Sequence, residues 1–242
     1  MATVKTILQN VAADLGIIVP DSFVGNTAET PRKLLRAISA SGRFLSTRNI
    51  RALQFEHTFS TAAGTLEYAL PTTPSFDHLS PNTAYDRSQF RGLVGPYAAA
   101  GWQYGEALLS SPGGINMTFR IKSANTTPRV DKFYLLDDPN GTYTLAYEYF
   151  TKQWVYDGSS AYTTDINGDS DVPVFDDYLM EIDTKWRLLR ANGEPYFDEK
   201  DEAMRLVETL IAQENGETLD LRPRSRRFQQ FYENVPETGY GI

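Results

Sequence analysis

A chain of 242 residues, 41% of them hydrophobic, has apolar material for one large or two small packed domains. It has no cysteine, which excludes disulfides and thiol chemistry, and its formal charge of -8 argues against general nucleic-acid binding, whose affinity comes from lysine and arginine. With no signal-peptide pattern and no apolar run near about 18 residues, the expectation is a protein made in a cytoplasm, without membrane association.

The charge is unevenly spread. Residues 27–51 carry six basic side chains against Glu29 alone, residues 52–172 carry 7 basic and 13 acidic, and residues 173–242 carry 9 basic and 15 acidic. Opposite signs on separate segments suit subunit-to-subunit contact, although solvated helix faces give the same pattern.

In chain order, residues 3–15 place Val4, Ile7, Leu8, Val11 and Leu15 on one helical face, with Gly16 as the stop. Residues 17–25 form a connector. A second helix begins near Thr30, with Pro31 suited to its first turn. It puts Leu34, Leu35, Ile38 and Leu45 on one side and a stripe of Arg32, Arg36 and Arg43 on the other. Gly42 falls on the apolar side at a cost of about 1 kcal/mol relative to alanine, which predicts a close approach of another helix.

After Arg51 the period becomes two. Phe55, His57 and Phe59 alternate with Glu56 and Thr58, residues 62–64 turn the chain, and Leu66, Tyr68 and Leu70 alternate again, which predicts a hairpin. Further strands are predicted at 76–79, 116–121, 132–136, 143–150 and 154–156, with residues 138–141 as a turn, and residues 96–109, with Trp102 and Tyr104, as a short helix or covering loop. Strands at this spacing suggest an antiparallel sandwich or barrel built mostly of neighbouring hairpins.

Residues 173–193 form the organising helix. Phe175, Tyr178, Leu179, Ile182, Trp186 and Leu189 share one stripe, while Met180, Thr184 and Leu188 share a second that a monomer would leave in water. That second face, together with Arg32, Arg36 and Arg43, is the predicted subunit interface. A last helix follows Asp198 as N-cap, carries Ala203, Leu206, Val207, Leu210 and Ile211, and stops at Gly216. Residues 217–242 have neither period. They hold Arg222, Arg224, Arg226 and Arg227, then Phe228, Phe231, Tyr232 and Tyr240: an extended tail that cannot bury enough of itself to fold alone but offers anchors to a partner. The predicted fold is therefore α+β. A helical bundle from residues 1–53 and 172–216 carries an inserted antiparallel β-sandwich or barrel domain at 54–171 and an extended C-terminal tail at 217–242.

Catalytic constellations are thin. His57 sits in an alternating strand, His78 has no framed partner, no serine occupies a nucleophile elbow, and Gly113 with Gly114 lacks the strand-to-helix context of a phosphate cradle. No catalytic or cofactor-binding residue is predicted. Asp165, Asn167, Asp169 and Asp171 place oxygen ligands at alternate positions, but a calcium loop needs glycine sixth and glutamate twelfth, where Ser170 and Asp176 stand. A plain turn leading into the organising helix is the better reading, and no metal is expected. The 14 tyrosines could form a sugar-binding platform, so a carbohydrate-binding or fibre-like module is the alternative function; ordinary core and interface is preferred.

FEHTFSTAAGTLEYALP, YDRSQFRGLVGP followed by Trp102 and Gln103, MTFRI, LAYEYFTKQWV and YTTDINGDSDVP together resemble the head-to-tail adaptor, or tail tubular protein A, family of short-tailed bacteriophages. The likeness covers most of residues 3–216 and rests on a succession of short patterns. It departs from the family at Tyr85 and Ile50, where tryptophans are expected, and it leaves out the tail. The resemblance implies a non-enzymatic virion protein of the neck, with a helical bundle interrupted by a β domain. It also implies a twelve-subunit ring beneath the portal protein, and a surface for distal tail proteins such as a nozzle, tube or fibres. DNA would pass through the lumen without sequence-specific binding, and an acidic chain suits that role because a basic lining would retain DNA. In that setting Arg222, Arg224, Arg226, Arg227, Phe228, Phe231 and Tyr232 are the predicted portal-binding residues.

Overall fold

The computed structural model describes residues 1–108, 117–123, 130–158 and 161–214. The tail at 217–242, Gly113, Gly114, Asn116 and Gly216 lie outside the described residues.

Helix α1 (Val4–Asp14) starts where the Thr3 hydroxyl accepts the Thr6 N–H at 3.2 Å, and it buries Val4, Ile7, Leu8 and Val11. Helix α2 (Glu29–Leu45) has Pro31 in its first turn and buries Leu34, Ile38 and Leu45. Helix α4 (Asp177–Asn192) is capped by Asp176, whose carboxylate accepts the Leu179 N–H at 3.0 Å, and ends at Gly193 in the left-handed conformation. Helix α5 (Phe197–Glu214) begins before Asp198, which therefore lies in the first turn and is not the N-cap. A carboxylate there still complements the helix dipole.

α4 packs against α1, α2 and α5. Its first stripe divides. Ile182 and Trp186 meet Ala203 and Leu206 of α5, while Leu179 joins the α1 and α2 core, Phe175 is buried ahead of the helix, and Tyr178 stays 52% exposed. Its second face corrects the prediction. Met180 and Thr184 are fully buried and Leu188 is 2% exposed. Met180 and Leu188 belong to the core built with α1 and α2, where the Ser41 hydroxyl lies 3.9 Å from the Met180 sulfur. The face that a lone helix would expose is covered within the same chain, because a helix apolar on two sides is a central one.

The sheets are antiparallel, and among the described residues none closes into a barrel. One has β1 (Gln54–Ser60), β8 (Thr144–Phe150), β4 (Tyr85–Asp86) and β5 (Arg91–Gly92) in that order, with β3 (His78–Leu79) also on β8. A second has the order β2 (Glu67–Ala69), β7 (Asp131–Leu135), β6 (Phe119–Ser123). The predicted hairpin does not form. β1 pairs with β8, placing His57 opposite Tyr147, and β2 pairs with β7. The chain turns at Gly64 onto the other sheet, so the two arms meet through side chains, Phe59 and Tyr68 having ring centroids 4.9 Å apart. The stack continues from Phe119 to Phe133 at 4.8 Å and from Phe133 to Tyr147 at 5.5 Å, joining the two sheets through aromatic rings.

Helix α3 (Ala99–Leu108) follows β5, with Trp102 buried and Tyr104 exposed. A third sheet has the order β10 (Tyr162–Thr163), β9 (Val155–Tyr156), β11 (Val172–Pro173). Trp154 and Val155 belong to the helical core, although they fall within the segment assigned to the β domain.

Candidate functional site

The basic stripe on α2 divides. Arg43 donates to Asp165 at 2.7 Å, and this hydrogen bond holds the Asp165 carboxyl below the usual carboxylate range. Both partners are well exposed, so the pair contributes little energy, but it directs Arg43 toward its own chain. Arg32 and Arg36 remain exposed and have no ion-pair partner among the described residues.

Arg36 lies on one wall of a groove of about 510 Å³ between α2 and α4, with Lys33 beside it and Arg187 and Arg190 on the α4 wall. Ala37, Ala40 and Trp186 give the groove an apolar floor. The i, i+3 and i, i+4 steps on both helices line these residues along the groove. Lys33 pairs with Glu29 at 2.7 Å within α2. Arg187 is fixed by Asp183, a fully buried carboxylate that accepts its Nε–H at 2.8 Å and the Trp186 indole N–H at 2.7 Å. The Arg187 guanidinium lies 4.5 Å from the Trp186 ring centroid and 5.2 Å from that of Phe44. Sequence reasoning missed Lys33, Arg187 and Arg190. Their helical spacing was readable, but nothing local placed α4 beside α2.

The remaining candidates make contacts within the chain. His57 is half-buried beside Phe59 and Tyr147, and burial lowers its pKa. The His78 ring lies between Asp77, at 2.8 Å, and Asn49, at 3.1 Å, and stacks on Phe150. The aspartate-rich loop turns its oxygens onto backbone amides. Asp169 accepts from Val24 at 2.8 Å and from Phe23, and Asp171 accepts from Asn167 at 2.7 Å and Gly168 at 2.9 Å. The loop also fastens α1, because Val4 and Lys5 N–H groups bond to the Asp171 and Asp169 carbonyls.

Of the aromatic residues, Tyr147, Tyr149, Phe119 and Phe133 are buried, whereas Tyr97 and Tyr104 are exposed. Tyr85 and Phe90 are exposed beside a cleft of about 450 Å³ on the five-stranded sheet, where Glu56 and Arg87 pair at 2.6 Å.

A mixed α+β framework thus carries a groove with cationic walls between two of its helices. The chain is a member of the SU10 adaptor protein family, whose family model matches residues 2–232. This agrees with the head-to-tail adaptor resemblance, and the match reaches further than that likeness did, taking in Arg222 to Tyr232. A search of curated proteins finds no match.

Proposed function

We propose that the chain is a structural head-to-tail adaptor of a bacteriophage virion. In this reading twelve copies form a ring below the portal protein, continue the DNA channel without sequence-specific binding, and present the attachment site for distal tail proteins. The observation that carries it is the family match over nearly the whole chain. Packing of α4 against helices from both chain ends supports a helical unit of residues 1–53 and 172–216 with a β unit of 54–171 inserted, Trp154 crossing from the second into the first.

Arg222, Arg224, Arg226 and Arg227 pair with portal carboxylates in this reading, while Phe228, Phe231 and Tyr232 enter apolar pockets, so that charge guides encounter and burial holds the complex. The test is electron microscopy of the purified protein mixed with the portal of the same virus. Ring density of adaptor subunits below the portal is the expected result, and removal of residues 217–242 should abolish it without lowering the melting temperature. A full-length protein that never associates with the portal would sink the proposal. Undiminished docking of the truncated protein would remove the tail from it.

A further inference from the structure

We infer that the α2/α4 groove of one copy receives a flank of α5 from the next. This rests on the ring reading above and names the surfaces that would build it.

The groove is defined by cationic walls and an apolar floor, and Arg36 and Arg190 face it without an ion-pair partner among the described residues. Its ligand should be long, acidic and partly apolar. From Lys33 to Ala40 the α2 wall spans about 10 Å, enough for two turns of a helix. A nucleic-acid backbone would use the cations but gain nothing from Ala40 and Ala191, the exposed apolar side chains of the groove, so a protein helix fits better.

α5 carries such a face. Its inner side, at Ala203 and Val207, is buried against α4, and roughly a third of a turn round, beside the exposed Arg205, a flank carries Phe197, Asp201, Met204 and Glu208 at steps of four, three and four residues. Asp201 and Glu208 are exposed and have no ion-pair partner among the described residues, and Phe197 is 64% exposed while stacked on Tyr196 at 4.6 Å. An acidic stripe with an aromatic anchor is the complement of a basic groove with an apolar floor. A subunit cannot fill its own groove with this stripe, because the inner face of α5 is held on α4. The occupant is therefore a second copy. The tail at 217–242 is a poorer fit, since its four basic residues offset its four acidic ones. The two contacting surfaces differ, so the contact is heterologous, which is the kind that closes into rings.

Charge reversal tests this. One variant carries Arg36→Glu with Arg190→Glu, and a second carries Asp201→Arg with Glu208→Arg; all four sites are exposed, so both should retain the wild-type circular dichroism and melting temperature. Assembly is followed by mass photometry and negative-stain microscopy, alone and with the portal. Each variant by itself should lose rings. An equimolar mixture should regain them, because the reversed groove accepts the reversed stripe and the native groove accepts the native one. Rings from either variant alone would exclude this contact while leaving the ring reading intact, as would loss without recovery in the mixture. A wild-type protein that forms no ring in either setting would overturn both.

Discussion

Gly42 lies directly under the indole of Trp154, and a Cβ placed there would come within 2.4 Å of three ring atoms. The glycine on the apolar side of α2 marks a close approach, as its position suggested, but what approaches is a side chain from beside β9 and not a helix. Trp154 is 1% exposed, so its indole sits in close-packed core. Gly42→Ala should therefore destabilise the fold. Overpacking typically costs about 1–3 kcal/mol and the better helix propensity of alanine returns about 1, so a net loss of up to roughly 2 kcal/mol is expected. Urea denaturation measures it, and pairing the change with Trp154→Phe should recover part of the loss, since a smaller ring leaves room. A more stable Gly42→Ala protein would show that the indole moves freely.

Helix boundaries were legible where their signals are local, with residue 3 before α1, Pro31 in α2 and Gly193 after α4, but α4 starts at Asp177 behind the Asp176 cap and not at 173, because residues 172–173 pair as a strand. Strand positions were legible from alternation, whereas their partners were not. β8 pairs with β1, β3 and β4, and nothing in a seven-residue window specifies a partner nearly ninety residues away. The same limit hid the site. Arg187 and Arg190 read as an ordinary charged turn until α4 is laid beside α2, and the burial of Met180 and Leu188 depends on that same packing.

Leu188 gives a direct measure of that packing. As a residue of an exposed interface it could become glutamate and stop only assembly. At 2% exposure within the α1, α2 and α4 core, Leu188→Ala should cost about 2–5 kcal/mol, and Leu188→Glu, which buries a charge as well, should prevent folding of the subunit. Circular dichroism separates the cases. A folded monomeric Leu188→Glu protein would contradict the burial.

The aspartate-rich loop predicts insensitivity to calcium. Both Asp169 oxygens and Asp171 Oδ2 accept backbone N–H groups of residues 23, 24, 167 and 168, and among the described residues no group of acidic or histidine side chains converges as a metal site. Excess EDTA or millimolar calcium should leave the melting temperature unchanged. Asp169→Ala should lower stability by about 1–3 kcal/mol, because the Phe23 and Val24 amides lose a charged acceptor next to a fully buried ring. A calcium-dependent rise in melting temperature would overturn the plain-turn reading of the loop.

His57 makes stability depend on pH in a defined direction. Its ring packs between Phe59 and Tyr147 at centroid distances of 5.7 and 5.4 Å, and burial alone lowers its pKa. The unfolded chain, whose histidines titrate near about 6.5, then binds a proton at this position more readily than the folded one. Where the unfolded state binds more protons, stability rises with pH. The His57 contribution is thus fully present above the unfolded pKa and is lost as the pH falls through about 6.5 toward the lower folded value. Glu56 and Asp165, whose carboxyls are held below their ordinary range chiefly by hydrogen bonds from Arg87 and Arg43, act in the same direction but nearer pH 4, so the two effects separate along the pH axis. In His57→Phe the ring stack is kept and the titration removed. Urea midpoints of wild type and variant, measured from pH 7.5 to 5, should diverge as the pH falls, with the wild type losing more stability. Parallel curves would mean that the folded protein protonates His57 as easily as the unfolded chain does.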